Sequence, residues 1–198
     1  MKRRYHLFLI LTGLLLGQFT LHAQNSFSLS GNYTVLPQSG MEGLGYKAEI
    51  ILPFKHSLYL SANLGFIHAW KTTPAPLGNY ENYELFPLNG NHAAYQFAVQ
   101  TGYHFQLSKV VHISCAIGPS ASYQSTLIER SKYKTDERFS YLTINQDFNE
   151  GLYYGGAATF TLGIDFNEQT SLLLYQEAMA YFKAQSTLNT GIGIQFTF

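Results

Sequence analysis

The segment YQFAVQTGYHFQ, residues 95–106, alternates without a break: Tyr95, Phe97, Val99, Thr101, Tyr103 and Phe105 fall on one side, and Gln96, Ala98, Gln100, Gly102, His104 and Gln106 on the other. A repeat of two is the repeat of a β-strand, whose successive side chains leave opposite faces. The strand it predicts, His92–Leu107, is longer than the five or six residues common in soluble sheets and suits a tilted bilayer crossing. Its polar side is glutamine, alanine and glycine rather than lysine and glutamate, so it does not read as a face turned to water.

The same pattern recurs in both directions along the chain. Upstream it predicts strands over Ser26–Leu36, Gly43–Phe54 and Leu58–Trp70; downstream, over Val110–Tyr123, Gly151–Phe166, Thr170–Lys183 and Thr187–Phe198. The seventh of these competes with a helix, because Leu172, Leu173, Leu174 and Tyr175 are apolar in succession and Glu177 follows. Short turns are expected at Pro53–Ser57, Ser108–Lys109 and Asn167–Gln169, and long loops at Lys71–Asn91 and Gln124–Glu150. The second long loop holds nine charged residues, from Glu129 to Glu150, which reads as a solvated segment, part of it free to extend the flanking strands as a hairpin. Short turns after even strands and long loops after the third and fifth give the connectivity of an outer-membrane barrel with both termini in the periplasm.

Composition agrees. Aromatic residues make up 16% and charged residues 12% of the chain, about half the charged share of a soluble domain, so its surface is too poor in charge to be bathed wholly in water. No segment after the leader reaches eighteen consecutive apolar residues, which excludes spanning helices and leaves a closed barrel. A soluble lipocalin-like barrel would invert the pattern, apolar side inward, and place the small polar residues in water. The formal net charge is zero, which gives no footing for nucleic acid as a partner.

At the N-terminus Lys2, Arg3 and Arg4 precede an apolar run from Leu7 to Leu16 and a segment ending at Ala23, the arrangement of a secretory signal peptide. Cleavage is expected after Ala23, with Leu21 at the −3 position, giving a leader over 1–23 and one barrel domain over 24–198. The only cysteine, Cys115, lies far from that cut, so neither a lipoprotein anchor nor an intramolecular disulfide is expected. The predicted fold class is thus all-β: an eight-stranded antiparallel up-and-down transmembrane barrel in the bacterial outer membrane, with lipid as its surroundings.

Candidate sites follow from facing. Lys47, Glu49, Asp165 and Glu177 fall on the inward side and are expected to form a polar network filling the lumen, an eight-stranded interior being normally plugged by its own side chains. His112-Ile113-Ser114 resembles the His-x-Ser pair of lipid A deacylase barrels, but in this topology His112 starts the fifth strand at the periplasmic end and points inward, away from the outer leaflet. His56, His68, His92 and His104 lack metal-ligand spacing, so no metal, cofactor or catalytic residue is assigned. Tyr33, Trp70, Tyr95 and Tyr123 read as interfacial girdle residues. The final strand places Ile192, Ile194, Phe196 and the terminal Phe198 in phase, which resembles the signal that outer-membrane proteins present to the barrel-assembly machinery.

The second half also resembles the TraO-type conjugal transfer proteins of conjugative transposons. The stretches that carry the likeness are QFAVQTGYHF, SKVVHISCAIGPSASYQS, YYGGAATFTLGIDFNEQTSLLL and TGIGIQFTF, within Tyr95–Phe198, with Tyr175-Gln176-Glu177 standing where arginines are expected. The resemblance implies a non-enzymatic component of a mating apparatus at the donor envelope, in contact with other transfer proteins.

Overall fold

The computed structural model describes residues 25–55, 57–77, 84–135 and 140–198. Eight strands follow one another: β1 (Ser26–Leu36), β2 (Met41–Lys55), β3 (Leu58–Leu77), β4 (Glu84–Gln106), β5 (Val111–Thr135), β6 (Ser140–Asn167), β7 (Thr170–Tyr181) and β8 (Thr187–Thr197). Each pairs antiparallel with its sequence neighbours, and β1 pairs with β8 from Ser26↔Thr197 to Val35↔Leu188, which closes the sheet into a barrel. The expected leader, residues 1–23, lies outside the described residues.

The first and last described residues meet at one rim, where the Phe198 amide donates to the Asn25 carbonyl at 2.9 Å. The turns after β2, β4 and β6 sit at this same end. After β4, the Ser108 hydroxyl accepts from the Val110 and Val111 amides, and after β6 the Asn167 side chain accepts from the Gln169 amide. Serine and asparagine are suited to such turns because their short side chains satisfy nearby backbone donors.

Facing follows the alternation. Leu64 is 60% and Ile117 71% exposed on the outside, whereas Ser61, Asn63, Gln96, Gln100 and Glu177 are almost wholly buried inside. The greasy side is therefore the exterior, the reverse of a soluble barrel. Inward glycines have a steric reason to be there: a Cβ on Gly118 would stand 2.0 Å from the Val99 carbonyl oxygen, and one on Gly155 1.8 Å from that of Ala180. The strongly curved wall of a narrow barrel brings neighbouring backbones too close for any side chain at those points.

Two expected loops and the end of one expected strand are corrected. Lys71–Asn91 is not a loop: β3 and β4 continue as a hairpin, in register from Lys71↔Gly90 to Leu77↔Glu84. Gln124–Glu150 is likewise mostly strand, with β5 and β6 paired from Gln124↔Gly151 to Thr135↔Ser140. Beyond the membrane both faces of a hairpin are wet, so the alternation that marks a strand fades while backbone pairing, already in register from below, carries on. The tips, residues 78–83 and 136–139, lie outside the described residues. The seventh segment is a strand and not a helix, ending at Tyr181 rather than Lys183, because Leu173 and Tyr175 fill the interior while Leu174 faces out.

If lipid covers this exterior, Leu64→Arg costs about 2–4 kcal/mol, the penalty for a cation on the lipid face near mid-membrane. Urea unfolding in lipid vesicles reads this directly, and a loss well below about 1 kcal/mol would place the belt outside hydrocarbon.

Candidate functional site

The interior is organised around one carboxylate. Glu177 of β7 is 1% exposed, and side chains from β2, β3, β6 and β8 converge on it. Its Oε1 accepts from Lys47 Nζ of β2 at 3.3 Å, Asn63 Nδ2 of β3 at 3.3 Å and Thr159 Oγ1 of β6 at 3.1 Å. Its Oε2 accepts from Asn189 Nδ2 of β8 at 3.3 Å. In a ring of eight strands, β7 and β3 lie opposite each other, so the Glu177–Asn63 contact crosses the full width of the lumen.

Around this hub a second set of contacts holds the donors in place. Gln100 Nε2 donates to Thr159 Oγ1 at 3.0 Å, and Thr34 Oγ1 donates to Asn189 Oδ1 at 2.8 Å. Lys47 Nζ sits 3.9 Å from the centre of the Tyr175 ring and 3.7 Å from Glu49 Oε2, while the Tyr175 hydroxyl accepts from Asn32 Nδ2 at 3.1 Å. A buried carboxylate is tolerated only when a cation and further donors replace its water, and here both are supplied. With donors on both oxygens and a cation beside it, the group braces the interior from β2 and β3 to β6 and β8.

Of the four residues expected to share the lumen network, the structure brings together Lys47, Glu49 and Glu177 and sets Asp165 apart. Asp165 lies at the terminal rim, with its Oδ1 3.2 Å from His112 Nδ1 and accepting from Ser171 Oγ at 2.6 Å. The His104 ring stands 4.5 Å from that of His112. His112 is thus turned toward Asp165 and His104, at the end of the barrel where the chain termini meet. Asn63, Thr159, Asn189 and Tyr175 were not singled out from sequence, although each lies at an inward position of its strand.

The girdle and assembly-signal residues fall on the exterior, whereas His92 is buried inside with its Nδ1 2.7 Å from Thr126 Oγ1. Ile192, Ile194, Phe196 and Phe198 are all exposed, and so is Cys115. Tyr33 donates to Glu42 and Tyr123 to Glu150, both toward the hairpin end, where Trp70 also stands. Tyr95 packs on Phe66 with ring centres 5.1 Å apart. Among the described residues, no cluster of three or more histidine, cysteine or acidic side chains is placed to hold a metal ion.

An apolar exterior, a plugged polar interior and closure without a free edge at membrane depth define the class: this is a transmembrane β-barrel of eight strands. Its fold is shared by Neisserial surface protein A, with TM-score 0.56, 8% identity, and 88% of this chain and 96% of that one covered. It is shared also by the outer membrane protein OprG from Pseudomonas aeruginosa, at TM-score 0.55 and 9% identity over 89% and 96% of the two chains. A major outer membrane protein from Thermus thermophilus superposes at TM-score 0.54 and 14% identity, covering 89% of this chain and all, 100%, of that one. No protein-family model matches the sequence, and no curated protein is similar to it.

Removing one member of the central pair strands the other in the lumen. Lys47→Met is expected to cost about 3–5 kcal/mol, and adding Glu177→Gln, which removes the orphaned charge but keeps an acceptor oxygen, to recover part of that loss. Urea midpoints of the single and double variants in vesicles measure the difference, and equal destabilisation by both would dismiss the brace.

Proposed function

We propose that the protein resides in the bacterial outer membrane as a non-enzymatic barrel that serves a conjugative mating apparatus, through protein contacts at its hairpins or its periplasmic rim. The observation that carries the membrane part is the predominantly apolar exterior around a polar lumen braced by Glu177. A surface so rich in exposed apolar side chains suits hydrocarbon rather than water. The rim that holds the termini and short turns is assigned to the periplasm and the hairpins to the outside, as in other outer-membrane barrels.

On this reading the leader directs export, and the barrel-assembly machinery reads Ile194, Phe196 and Phe198. Outer-membrane lipid then covers the belt. The resemblance of Tyr95–Phe198 to TraO-type proteins supports the conjugative role, and neutrality of the chain argues for protein rather than nucleic-acid partners. A lipid-modifying role is disfavoured by the position of His112 at the periplasmic end.

A second reading, a surface adhesion or structural barrel, is favoured by the paired hairpins that stand above the belt. The two differ in what deletion does. Loss of the protein from a donor cell is expected to lower transfer frequency at least tenfold, with restoration by the gene in trans. Unchanged transfer with weakened cell attachment favours the adhesion reading. Membrane fractionation and heat-dependent gel migration test the shared premise, which a soluble band that does not shift would overturn.

The plugged lumen carries its own expectation. Purified protein in planar bilayers is expected to give no steady conductance, and stable ohmic openings would show that the Lys47–Glu177 brace does not close the interior.

A further inference from the structure

The barrel wall is uneven in height. β7 pairs with β6 only up to Gly155↔Tyr181, with the Phe182 amide adding one bond to the Tyr154 carbonyl, yet β6 extends to Ser140 and is paired there with β5 alone. Among the described residues no strand pairs with the other edge of β6 above Tyr154. In an antiparallel strand the N–H and C=O of one residue point to the same side, so alternate residues serve each edge. The Tyr154 carbonyl accepts from beyond β7, whereas the Asp165 amide donates to Val110 on the β5 side, and the β5–β6 register runs without a shift from Val111↔Ile164 to Thr135↔Ser140. The even-numbered residues Ile144, Gln146, Phe148, Glu150 and Leu152 therefore hold their backbone donors and acceptors out along the free edge.

Open edges invite pairing, and proteins ordinarily block them with proline, lysine or clustered charge. The other overhanging strands of this molecule are blocked. The upper part of β3 carries Lys71, Pro74 and Pro76, that of β4 carries Pro87, and that of β5 runs Glu129, Arg130, Ser131, Lys132. From Ile144 to Tyr154, β6 has no proline, lysine or arginine. Instead Ile144, Phe148 and Leu152 stand exposed on its outer side, and a cavity of about 370 Å³ opens beside its inner side, between Asp147, Asn149 and Tyr153 and the β7–β8 turn at Lys183.

We propose that the free edge of β6 between Ile144 and Leu152 is a docking site for an extended segment of a different protein, added as a further strand. The segment it fits has apolar residues at alternate positions, to lie beside Ile144, Phe148 and Leu152, and a lysine or arginine near Glu150, the one charged residue of that outer row. Backbone pairing supplies the attraction and these side chains the choice of partner. A second copy does not fit. Two barrels upright in one membrane and related by a two-fold along its normal have parallel β6 overhangs crossing at twice the strand tilt, about 70–90°, which is too steep for a ladder. The antiparallel β3 edge of a neighbour is interrupted by its prolines. The proposal rests on the outward placement of the hairpins given above.

The test uses the full chain in lipid nanodiscs and an eleven-residue probe peptide alternating valine with threonine and lysine, with amide exchange followed by NMR. In the protein alone the even-numbered amides from Ile144 to Leu152 are expected to exchange fast and the odd-numbered ones slowly. The peptide is expected to slow the even set at least tenfold, saturably, and Gln146→Pro to abolish this while leaving the odd set and the heat-dependent migration intact. Even amides already slow in dilute protein, no effect of the peptide, or an equal effect of a peptide N-methylated at alternate residues would each overturn the proposal. Protection that grows with protein concentration would replace the partner by a second copy. Separately, failure of an impermeant thiol reagent to reach Asn145→Cys on intact cells would overturn the outward placement of the hairpins without touching the exchange result.

Discussion

Hydrocarbon offers no hydrogen bonds, and every peptide group held at membrane depth has to find its partner within the protein. A sheet meets that demand only by returning on itself, which β1 and β8 accomplish here from Ser26↔Thr197 to Val35↔Leu188. The other features follow from closure. Eight strands make a ring too narrow for a channel, so many inward positions are glycine, serine, alanine and amides, with larger side chains such as Tyr175, Met179 and Tyr181 filling the space between them, while most large apolar side chains face out. Where the wall curves most, even a methyl group is refused, as at Gly118 and Gly155.

Closure also creates the problem that Glu177 answers. The apolar side chains buried inside gather in local clusters, one of Ala98, Ala157, Met179 and Tyr181 and one of Leu36, Met41 and Ala69, and neither includes the centre of the lumen around Glu177. The carboxylate gathers donors from β2, β3, β6 and β8, and so binds the ring across its diameter. Packing inside a soluble barrel is done by leucine and phenylalanine; here those residues face outward, and hydrogen bonds of low exposure take over their role, strengthened by the absence of competing water.

The barrel was legible in the sequence because lipid imposes a rule on every second residue, and β2, β4, β6 and β8 obey it with few exceptions. Two kinds of information were not. The rule lapses where the strands leave the membrane, so the hairpin parts of β3 to β6 read as polar loops even though their backbones stay paired. Parity also reports which face a side chain takes but not its height along the axis. Asp165 and Glu177 both point inward, yet the register sets Asp165 opposite Ser171 at the rim and Glu177 beside Thr159 and Asn189 at the centre. The ambiguity of β7 had a similar source: Leu173 fills space inside the ring, so its segment shows apolar residues on both faces.

The seam between the first and last strands has a bearing on biogenesis. Because Phe198 is bonded to Asn25, the circle is completed by the first and last of the described residues. Synthesis makes β1 first and β8 last, so β1 has one side bare until β8 is in place. A product that stops short of β8 leaves β1 without its second neighbour, and the same pairing that makes the finished barrel self-contained makes every truncated version of it an open sheet with a bare edge.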